Sequence, residues 1–227
     1  MKAFVAGATG ETGRRIVTEL RDQQIEVCAL VRDRAKALSI LPPSVDLVEG
    51  GLESVGALAE AMAGCDVLLC ATGARPSLNP LEPMTVDYLG TKNLVEAARD
   101  QGIAHFVLVS SLCVSKLFHP LNLFWLILFW KRQAEKYLQD SGLTYTIVRP
   151  GGLKSTDSQP PLVMAPADTL FEGSIPRLQV AKVCVAALGN AHARNQIVEI
   201  VASESNPEVS IADLYGRIAQ AGGSVVP

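Results

Sequence analysis

The run Gly7-Ala8-Thr9-Gly10-Glu11-Thr12-Gly13 constrains this chain more than any other segment. It follows an apolar stretch, Lys2 to Ala6, that reads as a strand, and it leads into a helical pattern over Glu11 to Gln23. Three glycines serve three purposes in such a turn: a tight reversal, close approach of a ligand to the backbone, and packing of helix on strand. A Cβ would obstruct each of them. The helix start supplies unpaired N–H groups and the positive end of the helix dipole, so the expected occupant is a phosphate or pyrophosphate.

The remaining punctuation predicts the scaffold. Strand-like runs at Glu26 to Val31, Val45 to Val48, Val67 to Ala71, His105 to Ser110 and Thr144 to Val148 alternate with helical patterns at Ser54 to Met62, Pro83 to Gln101 and Phe124 to Asp140. Gly64, Gly102 and Gly142 stand where left-handed helix ends are needed. Such alternation predicts a doubly wound parallel α/β sheet of Rossmann type. After Pro150 the pattern loosens into a Pro-, Ser- and Asp-rich loop, then a helix at Gln179 to Leu188, a strand at Ile197 to Val201 and a helix at Ile211 to Gln220. We expect one domain over 1–227, with 151–227 contributing a small substrate-side lobe.

Composition narrows the function classes. An apolar fraction of 48% with 19% charged residues suits a sheet covered on both faces. A net charge of −3 gives no global support for binding nucleic acid, which we exclude as a partner. Cys28, Cys65, Cys70, Cys113 and Cys184 form no C-x-x-C pair and read as reduced, buried thiols. His105, His119 and His192 show no metal-ligand spacing, so no metal is expected. With the first strand starting directly after Met1, no targeting segment is expected and the default location is cytoplasmic.

The end of the second strand distinguishes two forms of a dinucleotide. An acidic residue there accepts from an adenosine ribose hydroxyl, whereas a 2′-phosphate wants a guanidinium. This chain reads Val31-Arg32-Asp33-Arg34, with Arg14 and Arg15 just beyond the glycine turn. Arg32 therefore favours NADP, with Arg14 and Arg15 offering a second approach; Asp33 keeps NAD open.

With the glycine run, Val86-Asp87-Tyr88-x-Gly90-Thr91-x-Asn93-Leu94, Val109-Ser110-Ser111, Trp130-Lys131-Arg132-x-Ala134-Glu135 and the stretch from Tyr145 to Gly152, the chain resembles the atypical, NmrA-like branch of the short-chain dehydrogenase/reductase superfamily, and within it the NADP-binding domains of Tic62 type. The resemblance implies cofactor contacts by Gly7, Thr9, Gly10, Glu11, Thr12, Gly13, Arg32, Thr72, Gly73, Ser110, Lys131, Pro150 and Gly151. It makes Asn93 a structural or active-site polar group. Gly51 departs from the pattern, since related proteins often carry an Asp there.

The superfamily's reductive chemistry uses Tyr-x-x-x-Lys, the phenol passing a proton to the substrate oxygen. Here Lys131 has Ile127 at the tyrosine position, leaving Ser111 and Lys131 as catalytic candidates. Two functions follow from the resemblance. One is an NAD(P)H-dependent reductase whose small-molecule acceptor needs no protein-borne acid, such as a flavin or tetrapyrrole. The other is a non-catalytic NADP(H)-binding redox sensor or scaffold at a membrane or among photosynthetic electron-transfer proteins.

The apolar stretch Leu121 to Trp130 is too short to span a bilayer and too hydrophobic all round for an ordinary surface helix. Burial within the chain, a homodimer contact and a peripheral membrane contact are the three readings.

Overall fold

The computed structural model describes residues 1–74, 78–116, 118–123 and 125–222. Strands β1 (Lys2–Ala6), β2 (Glu26–Val31), β3 (Asp46–Glu49), β4 (Val67–Cys70), β5 (His105–Val109), β6 (Tyr145–Pro150), β7 (Gly152–Lys154), β8 (Leu162–Pro166), β9 (Ser174–Pro176) and β10 (Gln196–Ala202) share one sheet. Its order is β3-β2-β1-β4-β5-β6-β10-β9-β7, with β8 also on β10. From β3 to β10 every pairing is parallel, and the chain reverses its direction of travel across the sheet between β1 and β4. That is the doubly wound arrangement expected from the alternation, with its crevice at the carboxyl ends of β1 and β4.

The helices are α1 (Glu11–Asp22), α2 (Arg34–Leu38), α3 (Val55–Met62), α4 (Gly90–Asp100), α5 (Ile127–Gln139), α6 (Arg177–Leu188) and α7 (Ile211–Gly222). Alternate residues of β1 serve opposite faces: Ala3 and Val5 meet Ile16, Leu20, Val180 and Val183 of α1 and α6, while Phe4 and Ala6 meet Leu58, Met62, Leu94 and Leu138 of α3, α4 and α5. Gly64, Gly102 and Gly142 take φ of +74°, +66° and +81°, the left-handed ends required of them.

The segment from 151 onward continues the sheet. β8 and β9 lie antiparallel to β10, and β7 adds a parallel edge. Reading this stretch as a bare loop missed three short strands held by backbone pairing to partners much further along the chain. The expected helix at Pro83 to Gln101 is continuous, but its first part, Pro83–Leu89, is a π-helical turn.

The stretch Leu121 to Trp130 is not one helix. A 3₁₀ turn at Pro120–Leu123 is followed by left-handed Trp125 and Leu126, at φ 57° and 59°, before α5 begins at Ile127. Phe124, placed by the sequence in this helix, lies outside the described residues. Asn122 Oδ1 accepts from the N–H groups of Leu128 (2.9 Å) and Phe129 (3.3 Å) and thereby caps α5 from outside. Leu128 is buried, whereas Leu121, Leu123, Trp125 and Leu126 are exposed, so the wholly buried reading does not hold.

Candidate functional site

The glycine turn is as constrained as its sequence requires. Gly7 has φ +80°, and a Cβ there would lie 2.7 Å from Ala71 C and O at the end of β4. A Cβ on Gly13 would lie 2.0 Å from Gly7 O, so turn and helix touch through bare backbone. Gly10 caps α1 without a side-chain bond. Arg14 N closes the first helical turn on Gly10 O at 2.9 Å, while the N–H groups of Glu11, Thr12 and Gly13 have no acceptor among the described residues. A narrow cradle, barred to any Cβ and lined by free N–H groups, fits a pyrophosphate.

The expected arginines separate. Arg32 stands exposed just beyond β2 with no hydrogen bond or ion pair among the described residues. Arg15 is buried: its Nε donates to Asp157 Oδ1 (2.7 Å), and its Nη atoms donate to Glu11 Oε2 (3.1 Å), Glu11 O (2.8 Å) and Ser155 O (3.2 Å). Arg14 pairs with Glu11 at 2.8 Å. Arg15 thus ties α1 to the segment around Ser155 and Asp157, which corrects its reading as a spare phosphate donor, while Arg14 stays on the exposed face of α1. Asp33 accepts from Lys36 N at 2.9 Å as the cap of α2, so its carboxylate has a structural partner.

At the carboxyl ends of β4 and β5 the remaining candidates meet. Thr72 Oγ1 lies 3.2 Å from Cys70 Sγ, and a Cβ on Gly73 would stand 3.7 Å from both Asp87 Oδ1 and Lys131 Nζ. Lys131 Nζ sits 2.7 Å from Asp87 Oδ1, with the two side chains 16% and 1% exposed. Burial alone would lower the Lys131 pKa, but the Asp87 carboxylate outweighs it and the net shift is upward, so the ammonium stays charged. Asp87 Oδ2 accepts from Ala74 N at 3.2 Å. Ser110 is buried and its Oγ has no partner among the described residues; Ser111 beside it is half-buried.

Asp87 was not among the expected site residues. Its signal was a carboxylate set between Val86 and Tyr88 in an otherwise apolar helical stretch.

Ile127 opens α5 and packs beside Leu112, Cys113, Val114 and Leu128, so an apolar wall stands where the superfamily's phenol would be. Tyr137 donates to Glu96 on α4, Tyr215 donates to Val183 O (3.2 Å), and Tyr88 stacks on Trp130 with centroids 5.9 Å apart.

Pro150 ends β6, and Gly151 N donates to Ile200 O at 2.9 Å. A Cβ on Gly151 would meet Gly173 O at 2.6 Å. Behind them, Arg149 donates to Glu135 (2.7 Å), Asp168 (3.0 Å) and Glu199 (3.3 Å). Glu199 also accepts from the backbone N–H groups of Asp168, Thr169 and Leu170 at 2.9, 3.0 and 2.7 Å, fixing the loop after β8.

Asn93 Nδ2 donates to Leu52 O (2.7 Å), which makes it structural. At Gly51 a Cβ would collide with the Glu53 carboxylate at 1.9 Å, so the Glu53 side chain fills the space of the departed residue.

The relatives bear on this geometry. The chloroplastic protein At2g34460 of Arabidopsis thaliana is 45% identical, over 96% of this chain and 82% of its own length. Arabidopsis protein TIC 62 is 37% identical over 95% of this chain, which spans 38% of that protein's length. Sanguinarine reductase of Eschscholzia californica is 31% identical over 88% of each chain. A Bacillus halodurans protein described provisionally as an NAD-dependent epimerase/dehydratase superposes with a TM-score of 0.84 at 29% identity, covering 96% of this chain and 99% of its own. Among the described residues no helix is long and apolar enough to cross a membrane. The NAD(P)H-binding family profile matches residues 7–191, and with these relatives and this crevice, the chain belongs to the NAD(P)H-binding family of Rossmann-fold, short-chain dehydrogenase/reductase-like proteins.

Proposed function

We propose that this chain binds NADP(H) across the carboxyl ends of β1 and β4 and is an oxidoreductase that works without a tyrosine acid. The observation that carries the reading is the open start of α1, where free N–H groups of Glu11, Thr12 and Gly13 face a cradle closed to any Cβ. Thr9 and Gly10 complete that cradle. Arg32, unpaired and exposed while Asp33 is committed to its cap, grips the 2′-phosphate. Thr72 and Gly73 border the middle of the dinucleotide, and Ser110, Lys131, Pro150 and Gly151 its nicotinamide half.

The nicotinamide supplies a hydride when bound. Lys131 stabilises negative charge that grows on the acceptor, Ser111 orients it, and the wall of Leu112, Cys113, Ile127 and Leu128 excludes water from its apolar face. Without a phenol, the acceptor is one that spreads charge through a conjugated ring system and takes its proton from water. The name of the relative sanguinarine reductase accords with a flat polycyclic acceptor.

A second reading has its own support. Ile127 and the similarity to TIC 62 favour a cofactor-loaded module that senses redox state, and exposed Phe118, Leu121, Leu123, Trp125 and Leu126 favour peripheral contact with a membrane or with a second copy of the chain from an aqueous, cytoplasm-like compartment. Mass spectrometry of the co-purified nucleotide, followed by NADPH oxidation with flavins, quinones and polycyclic iminium compounds, decides between the two. Turnover of a conjugated acceptor supports the reductase; bound nucleotide without turnover supports the module. Rapid reduction of simple ketones overturns the tyrosine-free chemistry.

A further inference from the structure

A buried hydroxyl without a hydrogen-bond partner stands beside a buried ion pair. Ser110 Oγ has no partner among the described residues, and Asp87 Oδ1 next to it is held by Lys131 Nζ at 2.7 Å. Ser110 is 7% exposed and Asp87 3%, so bulk water does not satisfy them. Both line a small pocket of about 10 Å³, together with Thr72, Thr91 and Lys131. That is roughly the space one water needs, and the lining offers more than the two polar partners that retain one. An apolar cavity of this size would stay dry, whereas a hydroxyl, a carboxylate and an ammonium around one void predict an occupant.

The charges point the same way. A lysine buried to this extent would shed its proton or swing toward solvent unless a carboxylate held it. Asp87 supplies that carboxylate, and it is itself fixed by Ala74 N and by the π-helical turn that carries it. We infer that Asp87 is a positioning residue: it fixes Lys131 Nζ at the carboxyl ends of β4 and β5 and, with Ser110 Oγ, binds one structural water beside it. A paired ammonium and a water, with no phenol, are then the polar groups that this end of the crevice offers an acceptor. The inference deepens the oxidoreductase reading and rests on it for the acceptor's place, but the pairing and the water are properties of the nucleotide-free chain.

The test uses the nucleotide-free full chain and follows the Lys131 side chain by NMR titration in wild type, Asp87→Asn and Asp87→Glu. Asparagine keeps the shape without the charge, so the Lys131 midpoint falls by more than one pH unit, a tenfold loss of proton affinity. Glutamate restores most of it. An unchanged midpoint in Asp87→Asn overturns the positioning role, since a merely structural Asp87 would move stability and leave the titration alone. Should Asp87→Asn fail to fold, the glutamate variant decides, a wild-type-like midpoint supporting the charge pairing and a fallen one opposing it. A high-resolution crystal structure of the wild type tests the water: density within hydrogen-bond distance of Ser110 Oγ and Asp87 Oδ1 supports it, and a dry cavity overturns it. NADPH titration of the wild type runs alongside, and its failure would sink the nucleotide reading while leaving the Lys131 result standing.

Discussion

Replacing Arg149 with Met isolates the cost of burying acid without its base. Arg149 is 6% exposed and serves three carboxylates, but these do not depend on it equally. Glu199, fully buried, keeps three backbone N–H donors when the guanidinium is gone, and Asp168 is half exposed to water. Glu135, 1% exposed, takes its side-chain hydrogen bonds among the described residues from Arg149 alone. The loss therefore concentrates at one carboxylate, and stripping a buried pair of one partner costs about 3–5 kcal/mol. Against a total stability of about 5–15 kcal/mol this is a large fraction, and for a chain of this size it lowers the melting temperature by roughly 10 °C. Urea unfolding followed by circular dichroism measures it. The double variant Arg149→Met with Glu135→Leu removes the stranded charge and recovers most of the loss. A single-variant cost below about 1 kcal/mol, or a double variant as unstable as the single, refutes the assignment of the cost to Glu135.

Three further outcomes are expected. Arg32→Ala weakens NADP binding by about 1.5–3 kcal/mol and leaves NAD nearly unchanged, because only the 2′-phosphate loses its charged donor; calorimetric titration showing equal losses for both would mean that Arg32 touches a shared part of the cofactor. Gly13→Ala puts a Cβ 2.0 Å from Gly7 O, so nucleotide binding is abolished and stability falls by about 2 kcal/mol or more, and wild-type calorimetry on this variant would contradict the cradle. Burial, with a smaller contribution from Arg194, pushes the His105 pKa down to about 4 from an unperturbed 6.5, so the unfolded chain takes up a proton that the folded chain refuses. Stability is then lost as pH falls from about 6.5 to 4, by about 3 kcal/mol from this group, and His105→Gln flattens the slope of unfolding free energy over that window; a slope unchanged by the substitution contradicts the argument.

What the sequence made legible follows the range of the interactions. The glycine turn, the left-handed helix ends and the alternation of apolar runs are local signals, and β1 to β6, α1 and α3 to α6 follow them within a few residues. Strands β7, β8 and β9 carry little signal of their own because partners distant in the sequence define them, β10 for β8 and β9, and β9 for β7. Arg15 reads as an exposed cation only until Asp157, 142 residues away, is folded against it. The cap on α5 comes from Asn122 across two left-handed residues, a route no N-cap pattern describes. Ile127 was legible as an absence, whereas Asp87 needed Lys131 to be brought alongside before its carboxylate acquired a meaning.

The π-helical turn at Pro83–Leu89 makes chain length at this point a discrete variable. Successive residues of an α-helix are offset by about 100°, and a π turn accommodates one residue more than the α path it replaces. The helix that follows is pinned in rotation, since Gly90 abuts Leu52 so closely that a Cβ would stand 2.7 Å from its Cδ1. Loss of a single residue between Pro83 and Leu89 would be absorbed by tightening to α geometry, turning the upstream residues by about a quarter revolution and carrying a carboxylate at position 87 off the face that meets Lys131. Lineages differing by one codon here would share a sheet and a nucleotide cradle yet differ abruptly in the chemistry of the crevice.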